Sequence, residues 1–103
     1  MKRDVRWSRL GLRDLAEQVK FVAVDNAVAG ARIAMAIRKA GDDLGLFSTG
    51  RPGRTPNIYE KSVARLPYVI AYEIIADGEV ETIFILRVIH TARDWPGGGW
   101  PKP

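Results

Sequence analysis

The sequence contains no cysteine and only one histidine, His90. Without thiolates it can form neither a disulfide framework nor a thiol nucleophile, which fits a reducing cytoplasm. A single imidazole supplies too few ligands for a transition-metal site, so we expect no metal and no other cofactor. No apolar run reaches the ~18 residues of a membrane-spanning helix, and the N-terminus lacks the apolar segment of a signal peptide. We therefore expect a cytoplasmic protein without membrane contact.

The charge of the chain is the first feature that indicates a partner. The 16 lysines and arginines outnumber the 12 aspartates and glutamates, giving a net charge of +4 and a pI near 9.8. Such a surface attracts nucleic acid or an acidic protein segment. The 47% hydrophobic share fits one globular domain, which we place at residues 1–96. Residues 97–103 are expected to form a flexible, glycine-rich tail.

The N-terminal half of the chain predicts one strand and two helices. Polar and apolar side chains alternate over residues 2–7, as they do in a short strand. A helix is expected from the Ser8 cap to about Val24, with Leu12 on its apolar face. After Asp25-Asn26, a second helix runs to Gly45, so the two helices form an antiparallel hairpin.

The C-terminal half predicts a loop and three strands. Turn-forming residues dominate positions 48–56, which favours a loop. Three apolar segments then predict an antiparallel meander with strands at about 58–63, 67–76 and 79–90. The whole chain is therefore expected to be an α+β fold in the order β-α-α-β-β-β, with the helical hairpin packed on the sheet.

The dipeptide Asp77-Gly78 predicts the turn between the last two strands, because a type I′ turn needs two residues that accept positive φ. That turn places Ala76 opposite Glu79 and fixes the ladder. One sheet face then carries Tyr68, Ile70, Tyr72 and Ile74 opposite Arg87, Ile85, Ile83 and Glu81. The other carries Val69, Ala71, Glu73, Ile75, Val80, Thr82, Phe84, Leu86, Val88 and His90. Two helices cover one face only, so the second face is a docking surface or is covered by loops, the tail, Trp95 or Trp100.

Several polar residues are candidates for chemistry, and each has an ordinary structural interpretation. His90 ends the last strand beside Arg87 and Arg93, where it is either an acid–base group or bonded to the backbone. Arg51 and Arg54 either clamp phosphates or are solvated in their loop. No nucleotide-binding loop, catalytic triad, paired carboxylates or metal signature is present. These residues alone do not indicate an enzyme.

The chain resembles the RelE/ParE toxins of bacterial toxin–antitoxin operons. Five stretches carry the resemblance: Ser8–Ala16, Asp25-Asn26, Gly50–Arg54, Leu66–Tyr72 and Arg87–Pro96. The fold of that family, β-α-α-β-β-β, agrees with the order of elements expected from periodicity.

The resemblance implies a growth-arresting toxin that a cognate antitoxin neutralises. In the family, the C-terminal segment of the antitoxin wraps across the helical hairpin and along the sheet, and ParD-type antitoxins bind DNA through a ribbon-helix-helix domain. An apolar face and a basic surface suit such an amphipathic, acidic segment. The expected antitoxin contacts are Val69, Ala71, Phe84, Leu86, Val88, Leu12 and Leu15.

The resemblance also implies two alternative targets. RelE-type members cut mRNA on the ribosome with basic residues of the sheet and a C-terminal histidine or tyrosine. Val69 stands here where an arginine is expected, which removes a cation that would stabilise charge on the scissile phosphate. This departure favours the ParE branch, which poisons DNA gyrase without catalytic residues. Its expected target contacts are Arg51, Arg54, Arg93 and Trp95; the nuclease alternative uses His90, Arg87, Arg54 and Lys61.

Overall fold

The computed structural model describes residues 3–47, 50–53 and 55–93. The predicted tail at 97–103 lies outside these residues. Five strands and two helices follow the expected order, with one short strand added in the predicted loop. The elements are β1 (Asp4–Trp7), α1 (Arg9–Ala23), α2 (Ala27–Asp42), β2 (Arg51–Pro52), β3 (Tyr59–Ser62), β4 (Tyr68–Asp77) and β5 (Val80–His90), with a 3₁₀ turn at Asp43–Gly45.

A single sheet joins the two halves of the chain in the strand order β1-β5-β4-β3-β2. The three-stranded antiparallel meander of β3, β4 and β5 is confirmed, and β1 pairs with β5 in parallel. The extra strand β2 is only two residues long and pairs with Tyr59 and Glu60 at the far edge. None of the helices that the structure describes is long and apolar enough to cross a membrane.

The predicted register of the β4–β5 hairpin is wrong in two places. The turn is Gly78-Glu79, because Asp77 pairs with Val80, and Gly78 takes the positive φ of 65°. A glycine at the first position of a two-residue turn suits type II′ geometry better than the expected type I′. Further along, Ala71 lies opposite Arg87 but Tyr72 lies opposite Ile85, so Leu86 is an extra, bulged residue.

Because of the bulge, the side chains at the end of β5 lie on the opposite faces of the sheet from those expected. Val88 now lies opposite Ile70, and His90 opposite Tyr68, on the face that the helices cover. Arg87 moves the other way and lies beside Ala71. A bulge inserts one residue into a pattern of period two, so every side chain beyond it changes sides.

Both helices begin at the expected caps. Ser8 Oγ accepts the Gly11 amide at 2.8 Å, and Asn26 Oδ1 accepts the Ala29 amide at 2.9 Å. These side chains satisfy amides that a helix start leaves without partners. The second helix ends at Asp42 in place of Gly45, and the last residues of its predicted span form the 3₁₀ turn.

The hydrophobic core lies between the helical hairpin and one face of the sheet. Its centre is formed by Ile37, Leu44, Val63, Tyr68, Ile70, Tyr72, Ile83, Ile85 and Val88. The second helix contributes Ile37, which is fully buried, and Ile33, Ala36 and Ala40, which pack against the core. Leu12, predicted on the apolar face of the first helix, is 43% exposed.

The first helix lies very close to the backbone of β5, and Gly11 marks the contact. A Cβ at this position would meet the Ile85 carbonyl oxygen at 3.0 Å and its own Ser8 cap at 3.2 Å. Backbone atoms cannot yield as a flexible side chain does. We therefore expect Gly11→Ala to lower the free energy of unfolding by about 1–3 kcal/mol, measured by urea denaturation.

Arg9→Ala is the matched control for this prediction. It introduces the same alanine into the first turn of the same helix, at an exposed position. We expect a change within about 0.5 kcal/mol. Equal stability of the two variants would show that the helix does not approach β5 as closely as described.

Candidate functional site

The most buried side chains of α1 are polar. Asp14 and Gln18 are each 7% exposed, although the helix also carries several apolar residues. A buried carboxylate is costly unless it is paired and hydrogen-bonded. The partners of these two side chains therefore show what holds α1 against the sheet.

Asp14 binds the edge of β5 at the place where β1 has ended. Its Oδ2 accepts the Val88 amide at 2.9 Å and Nε of Arg87 at 2.7 Å, while Oδ1 accepts the Arg87 Nη2 at 3.1 Å. The guanidinium thus meets the carboxylate through two parallel hydrogen bonds, the strongest geometry for this ion pair. One carboxylate satisfies a strand-edge amide and neutralises an arginine at the same time.

Ser8 also bonds to the open edge of β5, on the side nearer to β1. Its amide donates to the Ile85 carbonyl at 2.8 Å, and its Oγ donates to the Leu86 carbonyl at 2.9 Å. The bulged residue would otherwise have lost its ladder bonds. Ser8 and Asp14 therefore replace the missing neighbour strand along this part of β5.

His90 closes the end of β5 with its side chain. The Nδ1 atom accepts the amides of Ala92 at 3.1 Å and of Arg93 at 3.0 Å, and the ring packs edge-on against Tyr68 at 5.3 Å. Nδ1 must be unprotonated to accept both amides. Nδ1 of His90 therefore holds the backbone turn, as expected for a histidine bonded to the backbone at the end of a strand.

Arg93, which follows β5, contacts two residues of α1. Its Nη2 donates to Gln18 Oε1, and its guanidinium lies 3.9 Å from the centre of the Phe21 ring. Together with the Asp14–Arg87 pair, these residues line a cavity of about 380 Å³. Of its charged groups, Arg87 pairs with Asp14, Glu17 pairs with Arg13 at 3.3 Å, and Arg93 contacts the neutral side chains of Gln18 and Phe21.

The structure does not bring together the residues expected for RNA cleavage. Lys61 and His90 lie on the helix-covered face, but they are two strand spacings (about 10 Å) apart across the sheet and two residues apart along it. Arg87 is on the opposite face and is bonded to Asp14. Arg54 lies outside the described residues. Neither of the two described cations of this set is therefore placed beside His90.

The expected target contacts are likewise separated. Arg51 belongs to β2 at one edge of the sheet and pairs with Glu60 at 2.8 Å, whereas Arg93 follows β5 near the other edge. The remaining two, Arg54 and Trp95, lie outside the described residues. The two described arginines do not form one basic patch.

The face expected to bind the antitoxin is only partly accessible. Val88 lies in the core because of the bulge, and Val69 and Ala71 are also buried. Phe84, Leu86 and Leu15 are half-buried, and Leu12 is exposed. The bulge, which has no recognisable sequence pattern, explains why Val88 was misplaced, whereas Val69 and Ala71 keep the predicted face and are buried on it.

An apolar groove that the sequence did not indicate lies between α2 and β3. The helical hairpin packs mainly over β5, which leaves a cavity of about 440 Å³ at the side of β3. It is lined by Ala36, Lys39, Ala40, Asp43, Phe47, Lys61, Ser62, Val63 and Ala64. The Phe47 side chain is 66% exposed, an unusual state for a large aromatic ring.

The α2–β3 groove carries two lysines and one aspartate, so its net charge is positive. Lys39 donates to Asp43 at 2.9 Å, and this hydrogen bond raises the pKa of the Lys39 ammonium above its ordinary value. Lys61 has no carboxylate partner within the part of the chain that the structure describes. The groove therefore suits an apolar segment that also carries negative charge. Among residues 3–47, 50–53 and 55–93 there is no group of three metal-ligating side chains.

Comparison with known proteins identifies the family. The family model for the ParE toxin of the type II toxin–antitoxin system parDE matches residues 5–95. The chain belongs to the ParE toxin family. It is also 35% identical over 96 residues to a candidate toxin of Sinorhizobium fredii, Y4kP, and the match covers 92% of this chain and 95% of that protein.

Two solved structures of toxin–antitoxin complexes share the fold of this ParE-family chain. One is the chromosomal ParDE system of P. aeruginosa, with a TM-score of 0.71 at 17% identity, covering 86% of this chain and 96% of that one. The other is the RelBE2 toxin–antitoxin complex of Mycobacterium tuberculosis, with a TM-score of 0.61 at 26% identity, covering 87% and 99%. The expected RelE/ParE resemblance and the α+β fold are thus confirmed.

The Asp14–Arg87 pair makes a testable prediction about stability. Asp14→Ala leaves the Val88 amide and a half-buried guanidinium without their acceptor, so we expect a loss of about 2–3 kcal/mol in the free energy of unfolding. A double-mutant cycle with Arg87→Ala should give a coupling of about 1–3 kcal/mol.

The control is the exposed Arg13–Glu17 pair on the same helix, whose side chains are 71% and 64% exposed. Its coupling should not exceed about 0.5 kcal/mol. Urea denaturation of both cycles measures the difference. A coupling for Asp14 and Arg87 no larger than that of the control would contradict the role assigned to the carboxylate.

Proposed function

We propose that this ParE-family toxin arrests growth by binding and inhibiting DNA gyrase, without cutting RNA. The observation that carries the proposal is the use of His90 Nδ1 as an acceptor for two backbone amides. An Nδ1 atom that accepts two backbone amides cannot serve as a general base at the same time, and the residue is only 9% exposed, which limits the access of a substrate. Inhibition by binding requires no such group.

The surroundings of His90 support the same conclusion. The neighbouring Arg87 is neutralised by Asp14, and Val69 occupies the position where ribosome-dependent relatives are expected to carry an arginine. Stabilising a pentacovalent phosphate needs preorganised cations aimed at its oxygens. Of the cations expected for a nuclease, Arg87 is paired with Asp14 and Lys61 lies two strands away from His90.

We further propose that a cognate antitoxin of the ParD type neutralises the protein by placing an acidic, amphipathic segment in the α2–β3 groove. The groove offers apolar walls, the exposed ring of Phe47 and the cations of Lys39 and Lys61. The half-buried Leu15, Phe84 and Leu86 and the exposed Leu12 remain proposed contacts outside the groove. Contact with DNA would be indirect, through a ribbon-helix-helix domain of the antitoxin, in the cytoplasm.

A RelE-like, ribosome-dependent mRNA endonuclease is the second candidate function. The similarity in fold and sequence to the RelBE2 complex favours it, as does the presence of a histidine at the C-terminal end of the sheet. In this alternative His90, Arg87, Arg54 and Lys61 act on mRNA bound to the ribosome.

Induced expression in a host without the antitoxin separates the two functions. Plasmid topology and primer extension on mRNA are followed in the same cultures. Inhibition of gyrase predicts relaxed plasmids and intact transcripts at the onset of arrest. Codon-positioned cuts with normally supercoiled plasmids would instead establish the nuclease.

Substitution of His90 tests the same question within the protein. An asparagine accepts backbone amides two and three residues ahead as the imidazole does, but it cannot transfer protons. We therefore expect His90→Asn to keep growth arrest nearly unchanged, whereas His90→Ala loses the turn and lowers stability by about 1 kcal/mol. Growth assays and thermal denaturation of both variants provide the measurements. Loss of arrest in a fully stable His90→Asn protein would contradict gyrase inhibition without catalysis.

The groove makes a separate prediction about the antitoxin. Phe47→Ala removes a large exposed aromatic ring, so we expect at least about tenfold weaker binding of the antitoxin encoded beside the toxin gene. Val28→Ala is the control, because Val28 is 63% exposed at the start of α2 and does not line the groove. Calorimetric titration measures both. Equal affinities would place the antitoxin elsewhere on the surface.

A further inference from the structure

The β4–β5 hairpin extends beyond the strands on either side of it. The strand β4 pairs with β5 over its whole length, but β3 accompanies it only from Val69 to Tyr72. Along Glu73–Asp77, no strand of the described chain pairs with the outer edge of β4, and no described backbone group outside the hairpin bonds to it. The amides and carbonyls of alternate residues in this segment, those that do not bond to β5, therefore face solvent along an open strand edge.

The side chains along this open edge alternate in a defined way. Glu73, Ile75 and Asp77 share the face away from the helices, because side chains alternate across a strand. Ile75 is 45% exposed between the two acids, and the neighbouring Val80 on β5 is 60% exposed. The edge is thus an apolar centre flanked by a carboxylate at each end.

The end of the hairpin is acidic although the whole protein has a net charge of +4. It carries Glu73, Asp77, Glu79 and Glu81, and of these only Glu81 pairs with a basic side chain, Arg3 at 2.8 Å, within the described residues. Charges that face solvent without partners repel an acidic segment and attract a basic one. This surface is therefore opposite in charge to the α2–β3 groove.

A second copy of the chain is a poor occupant of this edge. Antiparallel pairing of two copies about Ile75 would place Glu73 of each copy opposite Asp77 of the other. Like charges directly opposite each other destabilise a strand pair. The same argument disfavours the acidic segment proposed for the groove.

We propose that Glu73–Asp77 is a strand-addition site for an extended protein segment of the pattern basic–x–apolar–x–basic. Such a segment would continue the sheet through backbone hydrogen bonds, the usual source of affinity when a peptide joins a sheet edge. Its basic residues would lie opposite Glu73 and Asp77, and its apolar residue opposite Ile75, at the short distances of cross-strand pairs. This site is independent of the gyrase and antitoxin proposals.

Two synthetic peptides test the proposal with the full-length protein. One has lysines at both outer positions of the pattern and valine at the centre, and the other has glutamates in place of the lysines. Binding is measured by fluorescence anisotropy near physiological salt, and amide hydrogen exchange follows the protection of residues 73–77. We expect the lysine peptide to bind at least about tenfold more tightly and to slow exchange of the outward-facing amides of this segment.

Two substitutions with the same change in charge locate the site. Asp77→Lys reverses a charge on the edge, whereas Glu79→Lys reverses one in the adjacent turn, which is off the edge. Only Asp77 lies directly opposite a lysine of the bound peptide, whereas Glu79 contributes to the general negative charge of the hairpin end. We expect Asp77→Lys to weaken the lysine peptide about fivefold or more and Glu79→Lys to weaken it clearly less.

Three results would overturn the proposal. Equal binding of both peptides would remove the role of the carboxylates. Binding without protection of residues 73–77 would place the peptide elsewhere. Protection that increases with protein concentration in the absence of peptide would show that a second copy occupies the edge.

Discussion

The carboxylate of Asp14 is the group on which the arrangement of this toxin depends most. It lies where a neighbouring strand would otherwise lie, and it accepts the Val88 amide together with two hydrogen bonds from Arg87. Because β1 is only four residues long, the C-terminal part of β5 would leave its edge open to solvent. The helix α1 closes that edge with Ser8 and Asp14, and so determines where the end of β5 and the turn at His90 can lie.

This constraint has a consequence for function. The arginine and the histidine that look most reactive in the sequence are used to hold the strand end, one by a carboxylate and the other by two amides. The proposed inhibition by binding relies on the surfaces of the protein and not on these two side chains. The α2–β3 groove combines an exposed aromatic ring with lysines, and the end of the β4–β5 hairpin combines exposed aliphatic residues with carboxylates. Surfaces of opposite charge favour different partners, which allows an antitoxin and another protein to bind without sharing contacts.

The fold was predictable from the sequence because its signals are local. Helical periodicity, the Ser8 and Asn26 caps and the three apolar runs each depend on neighbouring residues, and all of them appear as expected. The faces on which the side chains of β5 lie were not predictable beyond Leu86. A bulge of one residue reverses the alternation of side chains there, and no glycine or proline in the sequence marks its position.

The site was harder to predict for a related reason. Asp14 lies between apolar positions of an amphipathic helix, and from the sequence its side chain would be expected in solvent. Its burial depends on the long-range ion pair with Arg87, which no local pattern indicates. The α2–β3 groove depends on how far the helical hairpin extends across the sheet, which no local pattern encodes. The family resemblance, by contrast, was visible in short motifs, and the match over residues 5–95 confirms it.

The proposed inhibition of gyrase by binding can be measured with purified components. The toxin is titrated into a supercoiling reaction that contains gyrase, ATP and relaxed plasmid but no ribosomes. We predict a loss of supercoiled product that increases with toxin concentration and is reversed by the antitoxin. Undiminished supercoiling at a large excess of folded toxin would contradict it.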